Sequence, residues 1–530
     1  MPRILSALLL ACVSLHGTEP LLLPRPSQVE LTSESLHTAE LRVWESTEEE
    51  LAKVIRILGG DGRLKVVAVA ARDKEPVKIA TPDGRTRTLM GKAFEPGHPT
   101  LRLSRLKTAG YTLRIEPDNI HLAYGPDDQL NAALTTLRQL AWSSSTGWSV
   151  PCGTIQDEPR YAHRGFMLDD ARHFTGPAGV KRLLDAMELL KLNVFHWHLT
   201  DAPGWRLEIK KYPKLTTVGA QGNHTDPTAT PTFYTQAEVR EIVAYAKARG
   251  IAIIPEIDMP GHAAAANRAY PEFSGGGSPK YPDFTFDPAS PATEAFLRDI
   301  LAEVRDLFPD SPAIHLGGDE VHFGWEQWPR LPAVKQLMAE QHWAKLDPVE
   351  GRFVRRMAEH LAPTWERVAL WDEASRFDLP PAKTLLFWWR HDKPQGLQDA
   401  ADKGYSIVLC PRIPLYLDFV QDAAHRSGRR WAGKFAELAA IHAFPESLGA
   451  TLPANARVVG LQANLWTETA VTQERRDFLT FPRLLAVAES AWTPASRKDF
   501  VRFQQASAIV LPHLEALGLK PWKGGAEVAK

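Results

Sequence analysis

The chain has 530 residues, with 62 Lys and Arg against 63 Asp and Glu, 44% hydrophobic and 24% charged. That length gives two to four ordinary domains, or one large α/β barrel with an attachment. The balanced charge excludes a protein drawn to nucleic acid or an anionic membrane by its overall field. Sixteen Trp is a high number; each fills core in one reading and offers an indole face to a pyranose ring in the other.

Residues 1–17 combine one Arg with an apolar run over 4–13. The run is too short to span a bilayer and suits the hydrophobic region of an export signal, so a periplasmic or extracellular protein is expected; a frayed helix is the plainer alternative. Leu9-Leu10-Ala11-Cys12 also resembles a lipoprotein box, with Cys12 as a lipid-bearing N-terminus. No other stretch is apolar for long enough to span a membrane. Cys152 and Cys410 lie too far apart in sequence for a metal-spacing motif, and whether they pair is open.

Residues 20–158 mix short strands and helices, which predicts a small α+β domain. Residues 64–70 form a strand candidate, 111–116 alternate with period two, and 127–140 place Leu130, Ala133, Leu134, Leu137 and Leu140 at helical spacing. From 160 to 500 short apolar runs recur, at 166–168, 194–199, 251–254, 313–316, 368–371, 384–389, 406–409 and 458–461. Each is followed by a polar loop and then a helical pattern, as at 177–191, 235–249, 291–307, 353–361 and 482–492. Eight such units predict an α/β fold of the (β/α)8 TIM-barrel type, and 501–530 reads as a C-terminal helical tail.

In such barrels chemistry sits at the C-terminal ends of the strands. There the sequence places Asp169 and Asp170, His196, His198 and Asp201, Glu256, Asp258 and His262, Asp319 and Glu320, Trp371 and Asp372, Trp388 and Trp389, Tyr416 and Asp418, Trp466 and Glu468. A lone acid after a strand is commonly a helix cap. Eight successive ends carrying acids, imidazoles or indoles ask for more than capping.

The motifs are Arg164-Gly-Phe-Met-Leu-Asp-Asp-Ala-Arg-His-Phe, His196-Trp-His-Leu-Thr-Asp with Gly204-Trp-Arg-Leu-Glu-Ile, Ile254-Pro-Glu-Ile-Asp-Met-Pro-Gly-His, His315-Leu-Gly-Gly-Asp-Glu, Trp371-Asp-Glu, Tyr416-Leu-Asp and Leu465-Trp-Thr-Glu. In this order the chain resembles family 20 of the glycoside hydrolases, the β-N-acetylhexosaminidases, and 20–158 is similar to the small domain preceding that barrel. The resemblance implies a retaining exo-glycosidase acting on an oligosaccharide or glycoconjugate with terminal N-acetylglucosamine or N-acetylgalactosamine, with no cofactor and no metal. It implies Glu320 as general acid/base, Asp319 on the acetamido N–H, and Tyr416 on the acetamido oxygen. Asp258 would hydrogen-bond Asp319, and Asp201 with His262 would support the acid. Trp371, Trp389 and Trp466 would wall the acetamido group and ring, with Trp388 an alternative to Trp389. Arg164, Asp418 and Glu468 would read the 3-, 4- and 6-hydroxyls. Ala202 and Pro203 replace the family's acid and Gln before Gly-Trp, which puts leaving-group recognition in question.

The residues also carry the chemistry directly. Retaining glycosidases usually set two carboxyls on opposite faces of the sugar about 5 Å apart. Asp319 and Glu320 are adjacent, so one protonates the leaving oxygen while the other is free to orient a substrate N–H, as in substrate-assisted catalysis. Two other classes compete: a metal-dependent barrel amidohydrolase using His196, His198, His262 and Asp319, and a catalytically inactive sugar-binding protein.

Overall fold

Alternation along Tyr111–Ile115 buries Tyr111, Leu113 and Ile115 on one face, and the strand pairs antiparallel with Asn119–Tyr124. The computed structural model describes residues 19–524 apart from 45, 61–63, 70–76, 81–85, 90–97, 127–128, 145–146, 426–427, 431–432 and 434. The export signal expected over 1–17, and Cys12 within it, lie outside the described residues. The N-terminal sheet is mixed, in the order Gln28–Thr38, Gly147–Asp157, Tyr111–Ile115, Asn119–Tyr124, Thr100–Arg105, Glu40–Trp44 and Lys65–Val69. Helices Glu48–Leu58 and Gln129–Leu140 share a core with it through Leu51, Val54, Leu58, Leu130, Leu134 and Leu137. The first starts at a reciprocal capping box of Thr47 and Glu50.

Eight parallel strands then close a barrel: β1 (His163–Asp169), β2 (Val194–His198), β3 (Ala252–Glu256), β4 (Ala313–His315), β5 (Arg367–Trp371), β6 (Thr384–Trp388), β7 (Ser406–Leu409) and β8 (Arg457–Leu465). Period two sorts each strand between barrel interior and helix layer. On β6 and the residue after it, Leu385, Phe387 and Trp389 join an inner cluster with Met167, Ile254 and Ala369. Leu386 and Trp388 face the outer helices, so Trp389 is the indole that turns inward.

The crossover from β5 to β6 departs from the expected pattern. Only 3-10 turns, Asp372–Arg376 and Pro381–Lys383, separate the two strands; twelve residues are the minimum for a helical crossover, and Pro380 and Pro381 take two of them out of any helix interior. The helix expected from 353 begins earlier, over Asp347–Leu361, with Pro348 in its first turn. Helix Phe500–Ala516 lays Phe503, Ala506, Val510 and Leu514 on the barrel core. Cys152 and Cys410 are both free and buried. No described helix is long and apolar enough to cross a membrane.

Candidate active site

The acid pair sits on an unusual stretch of backbone. After β4, Gly317 and Gly318 take φ of +67° and +85°, and Glu320 takes +52°, a left-handed conformation that non-glycine residues rarely adopt. A Cβ on Gly317 would stand 1.8 Å from Asp258 Oδ1, so only glycine lets Asp258 pass so close beneath the chain that carries Asp319. Gly318 N–H donates to Asp258 Oδ1 at 3.3 Å. The bond implied between Asp258 and Asp319 is not formed. Their carboxylate oxygens approach within 4.8 Å, while Asp258 Oδ2 and Asp319 Oδ1 are buried without a hydrogen-bond partner. Burial pushes both carboxyls well above the usual range, with the Asp258 charge adding to the effect at Asp319 and Glu256 to that at Asp258.

His262 also has a left-handed backbone, φ +52°, which aims its ring at the acids. Its Nε2 lies 3.6 Å from Asp319 Oδ2 and 3.7 Å from Glu320 Oε2, and its Nδ1 is 3.0 Å from Asp201 Oδ1. Burial would lower the His262 pKa, but the Asp201 and Asp319 carboxylates outweigh it and raise it to about 9. The Ala202-Pro203 substitution leaves Asp201 in place. Asp201 and Gly204 exchange backbone hydrogen bonds around the turn, and Arg268 donates to both intervening carbonyls.

Aromatic rings wall one side. Trp389 stacks on Tyr416 with centroids 6.2 Å apart, Tyr416 is 6.0 Å from Trp466, and Trp466 is 5.8 Å from Trp371. Trp371 Nε1 donates to Glu256 and Trp389 Nε1 to Glu373, at 2.8 and 2.9 Å, which fixes both ring planes. Burial, helped by Asp372, pushes Glu373 up to about 8. Farther round the rim, Asp418 and Glu468 both pair with Arg429, whose Nε is 3.3 Å from Asp418. Burial raises Asp418 to about 7 against the pull of Arg429.

One assignment fails. Arg164 is at the start of β1, under the barrel and fully buried. Its Nε donates to Lys191 O and its Nη1 to Tyr161 O, both at 2.9 Å, and its guanidinium lies 4.8 Å over the Trp492 ring. It cannot read a sugar hydroxyl at the opposite mouth. The arginine at the site is Arg172, eight residues on in the same motif: its Nη1 is 2.7 Å from Asp201 Oδ2 and its guanidinium lies 5.0 Å over Trp466. Asp169 and Asp170 are structural. The first accepts from Arg172 N–H and Thr467 N–H, the second from Trp197 Nε1, Tyr234 and Thr175 N–H.

The proposed metal set is dispersed. His196 Nε2 faces Glu256 at 3.0 Å, His198 bridges Glu256 and Asp201, and His262 stands beyond Asp201. Sequence reading missed Arg172, Arg429, Glu373, and Glu256 as the hub of the interior. Arg172 and Glu256 lay inside motifs already in hand, whereas nothing near Arg429 singles it out.

An eight-stranded barrel whose C-terminal mouth gathers carboxylates against a wall of indoles is the architecture of a barrel glycosidase. The chain belongs to glycosyl hydrolase family 20: the catalytic-domain model of that family matches residues 161–495 and its domain 2 matches 19–158. It is 36% identical over 405 residues to a β-hexosaminidase of Vibrio furnissii, covering 73% of this chain and 65% of that protein. It is 31% identical over 524 residues to a β-N-acetylhexosaminidase of Cellulomonas fimi, covering 96% of each. The chain spans 52% of the length of a β-hexosaminidase of Porphyromonas gingivalis, 36% identical, so it matches only about half of that relative. Among solved structures it resembles an exo-β-N-acetylglucosaminidase from Vibrio harveyi in complex with N-acetylglucosamine, with TM-score 0.80 and 30% identity over 95% of this chain and 78% of the other.

Proposed function

We propose that this chain is a retaining exo-β-N-acetylhexosaminidase whose nucleophile is the substrate's own acetamido carbonyl. The observation that carries the reading is that Asp319 and Glu320 share one strand end and lie within 3.6 and 3.7 Å of the same His262 nitrogen. Two acids so placed stand on one side of a bound sugar, not on opposite faces of its anomeric carbon. Glu320 protonates the leaving oxygen and later activates water. Asp319 orients the acetamido N–H and offsets the positive charge of an oxazolinium intermediate. Tyr416 holds the acetamido oxygen for attack, and Trp371, Trp389 and Trp466 enclose its methyl group. Asp418, Glu468 and Arg172 read the ring hydroxyls in this scheme, with Arg172 taking the role first given to Arg164. The family resemblance and the relatives' activities support N-acetylglucosamine or N-acetylgalactosamine as the terminal sugar. The apolar run at 4–13 supports an exported enzyme, and mass spectrometry of the mature N-terminus separates cleavage near 17 from lipidation at Cys12.

A thiazoline mimic of the intermediate tests the mechanism. It should inhibit competitively and more tightly than substrate, because the site is complementary to the bicyclic geometry, and NMR should show the β anomer as the first product. A protein-bound glycosyl adduct, or an α product appearing first, would overturn the mechanism.

A further inference from the structure

A line of alternating carboxylates and imidazoles runs from the barrel interior to the acid. Glu256 Oε2 is 2.6 Å from His198 Nδ1, and His198 Nε2 is 2.9 Å from Asp201 Oδ2. Asp201 Oδ1 is 3.0 Å from His262 Nδ1, and His262 Nε2 faces Glu320 Oε2 at 3.7 Å. Glu256, His198 and Asp201 are all at most 2% exposed. The functional reading uses only the outer half of this line and leaves Glu256 and His198 without a role.

The contacts determine charge without reference to titration. His198 Nδ1 faces Glu256 Oε2, and its Nε2 faces Asp201 Oδ2 at 2.9 Å and Arg172 Nη1 at 3.3 Å; the nearer partner is a carboxylate, which accepts only, and Arg172 itself lies 2.7 Å from the same Asp201 oxygen, so both His198 nitrogens carry protons. His196 differs: Gln462 Nε2 donates to its Nδ1 at 3.0 Å, so only its Nε2 holds a proton for Glu256. Glu256 is an anion that faces the protonated nitrogens of His196 and His198 and accepts from Trp371 N–H; His315 Nδ1 also lies 2.9 Å away, but it accepts from Gly317 N–H at 3.0 Å. Asp201 is an anion held by His198, His262 and Arg172. The remaining charged groups facing the line are Asp258, near both His198 and His262, Asp169 beside Arg172, and Asp319 beside His262.

We propose that Glu256 and His198 are positioning residues for this reaction: their buried charge pair anchors Asp201 and, through it, holds His262 as a cation turned toward Asp319 and Glu320. His262 in that state supplies a fixed positive charge to whichever of the two acids is ionised at each step. Burial would lower His198, but Glu256 and Asp201 raise it well above 6.5; burial would raise Asp201, but Arg172 and His262 hold it well below the usual range. The proposal rests on Glu320 being the general acid, and its test separates the two ideas.

Glu256→Gln keeps the shape. Its amide donates to His198 Nδ1, so His198 keeps only its Nε2 proton and becomes neutral. Asp201 then loses one cation, and its charge acts more fully on His262; the lost Glu256 charge opposes this from farther away. The His262 titration, followed by selectively 15N-labelled histidine NMR on the full chain, should move up by about one unit. The alkaline limb of kcat/KM should move with it. His198→Gln removes the same cation and should shift both in the same direction. A packing role alone would lower kcat uniformly with pH and leave the limb in place, and that result in folded variants overturns the proposal. If neither variant folds, the native spectrum decides: His198 and His262 doubly protonated at neutral pH support it, and a neutral His198 overturns it. Should Glu320→Gln keep full activity on a disaccharide, the functional reading fails, while the histidine charge states still judge the network.

Discussion

The two ends of the barrel treat buried polar groups in opposite ways. At the N-terminal end, Lys191 donates to Tyr111 at 2.9 Å and pairs with Asp157 at 3.2 Å, and Trp492 Nε1 donates to Asp157 at 2.9 Å. Arg164 caps backbone carbonyls on the same floor. Those contacts join the last strand of the small domain to the barrel and satisfy one another. At the C-terminal end, Asp258 Oδ2, Asp319 Oδ1, both Asp418 oxygens, Glu468 Oε2 and Trp466 Nε1 are buried without a hydrogen bond. Unsatisfied buried groups cost stability, so a cluster of them at one mouth marks the end organised for binding. The floor's charges serve the fold; at the mouth, satisfied charges such as Asp169 and Asp170 do the same, and the unsatisfied ones mark the binding end.

The largest expected effect is at the mouth. Glu320→Gln preserves shape and removes proton transfer, so turnover of an unactivated disaccharide should fall about 10²–10⁴-fold, with a smaller loss on p-nitrophenyl glycosides, whose leaving group needs less protonation. Asp319→Asn should lower kcat by about 10²–10³-fold and change KM far less, since its carboxylate acts on charge that develops in the transition state. Melting temperature should hold or rise in Asp319→Asn, which removes a buried acid whose surroundings disfavour its charge, and should change little in Glu320→Gln, whose side chain is 34% exposed. A kcat loss accompanied by global unfolding would erase the contrast between the ends.

Exchanging the two arginines of one motif is the sharper comparison. Arg172→Lys loses the planar fork that pairs with Asp201 and, in the proposed scheme, reads the sugar, so kcat/KM should drop about 10–100-fold, the worth of one or two charged hydrogen bonds. Arg164→Lys should leave kcat/KM unchanged and lower the melting temperature, because the single nitrogen of a lysine cannot stand both where Nε meets Lys191 O and where Nη1 meets Tyr161 O. If instead Arg164→Lys raised KM with no loss of stability, the first assignment would stand and the present one would fall.

That pair also shows what the sequence could and could not say. Eight strands, their order and the inward turn of their ends were legible because apolar runs recur with polar loops between them. The eight steps from Arg164 to Arg172 exceed the seven-residue strand His163–Asp169, at about 3.3 Å each, so the two arginines belong to opposite ends. A motif read as one block does not display that. Sequence alone does not choose between Trp388 and Trp389 for a related reason: parity decides between neighbours only once one residue of the strand has been oriented. The helix missing after β5 follows from twelve residues and two prolines, a local fact outweighed by the regularity of the other units. Arg429 gave no signal, since its position depends on a loop folding back over Asp418.

The smallest effect is on stability against pH, and the two ends should titrate in different windows. His262 has its folded pKa raised to about 9 from an ordinary value near 6.5. The folded state therefore holds that proton more tightly, and its contribution is complete below about pH 6.5 and lost as pH rises through 9. Glu373, raised to about 8, has the same sign. At the floor, His163 is pushed down to about 3 by burial, against a hydrogen bond with Gln462. Its neutral ring favours folding above pH 6.5, and that contribution disappears as pH falls toward 3. Because the Glu373 contribution is lost between about pH 4.5 and 8, the melting temperature should peak near pH 5–6 and decline by a few degrees on the alkaline side. His262→Asn should flatten the alkaline decline and leave the acid side alone, whereas His163→Asn should do the reverse. Scanning calorimetry across pH 5 to 9.5 on the three proteins reads both slopes. An alkaline decline that survives unchanged in His262→Asn would mean that the proton is not held at the mouth by Asp201.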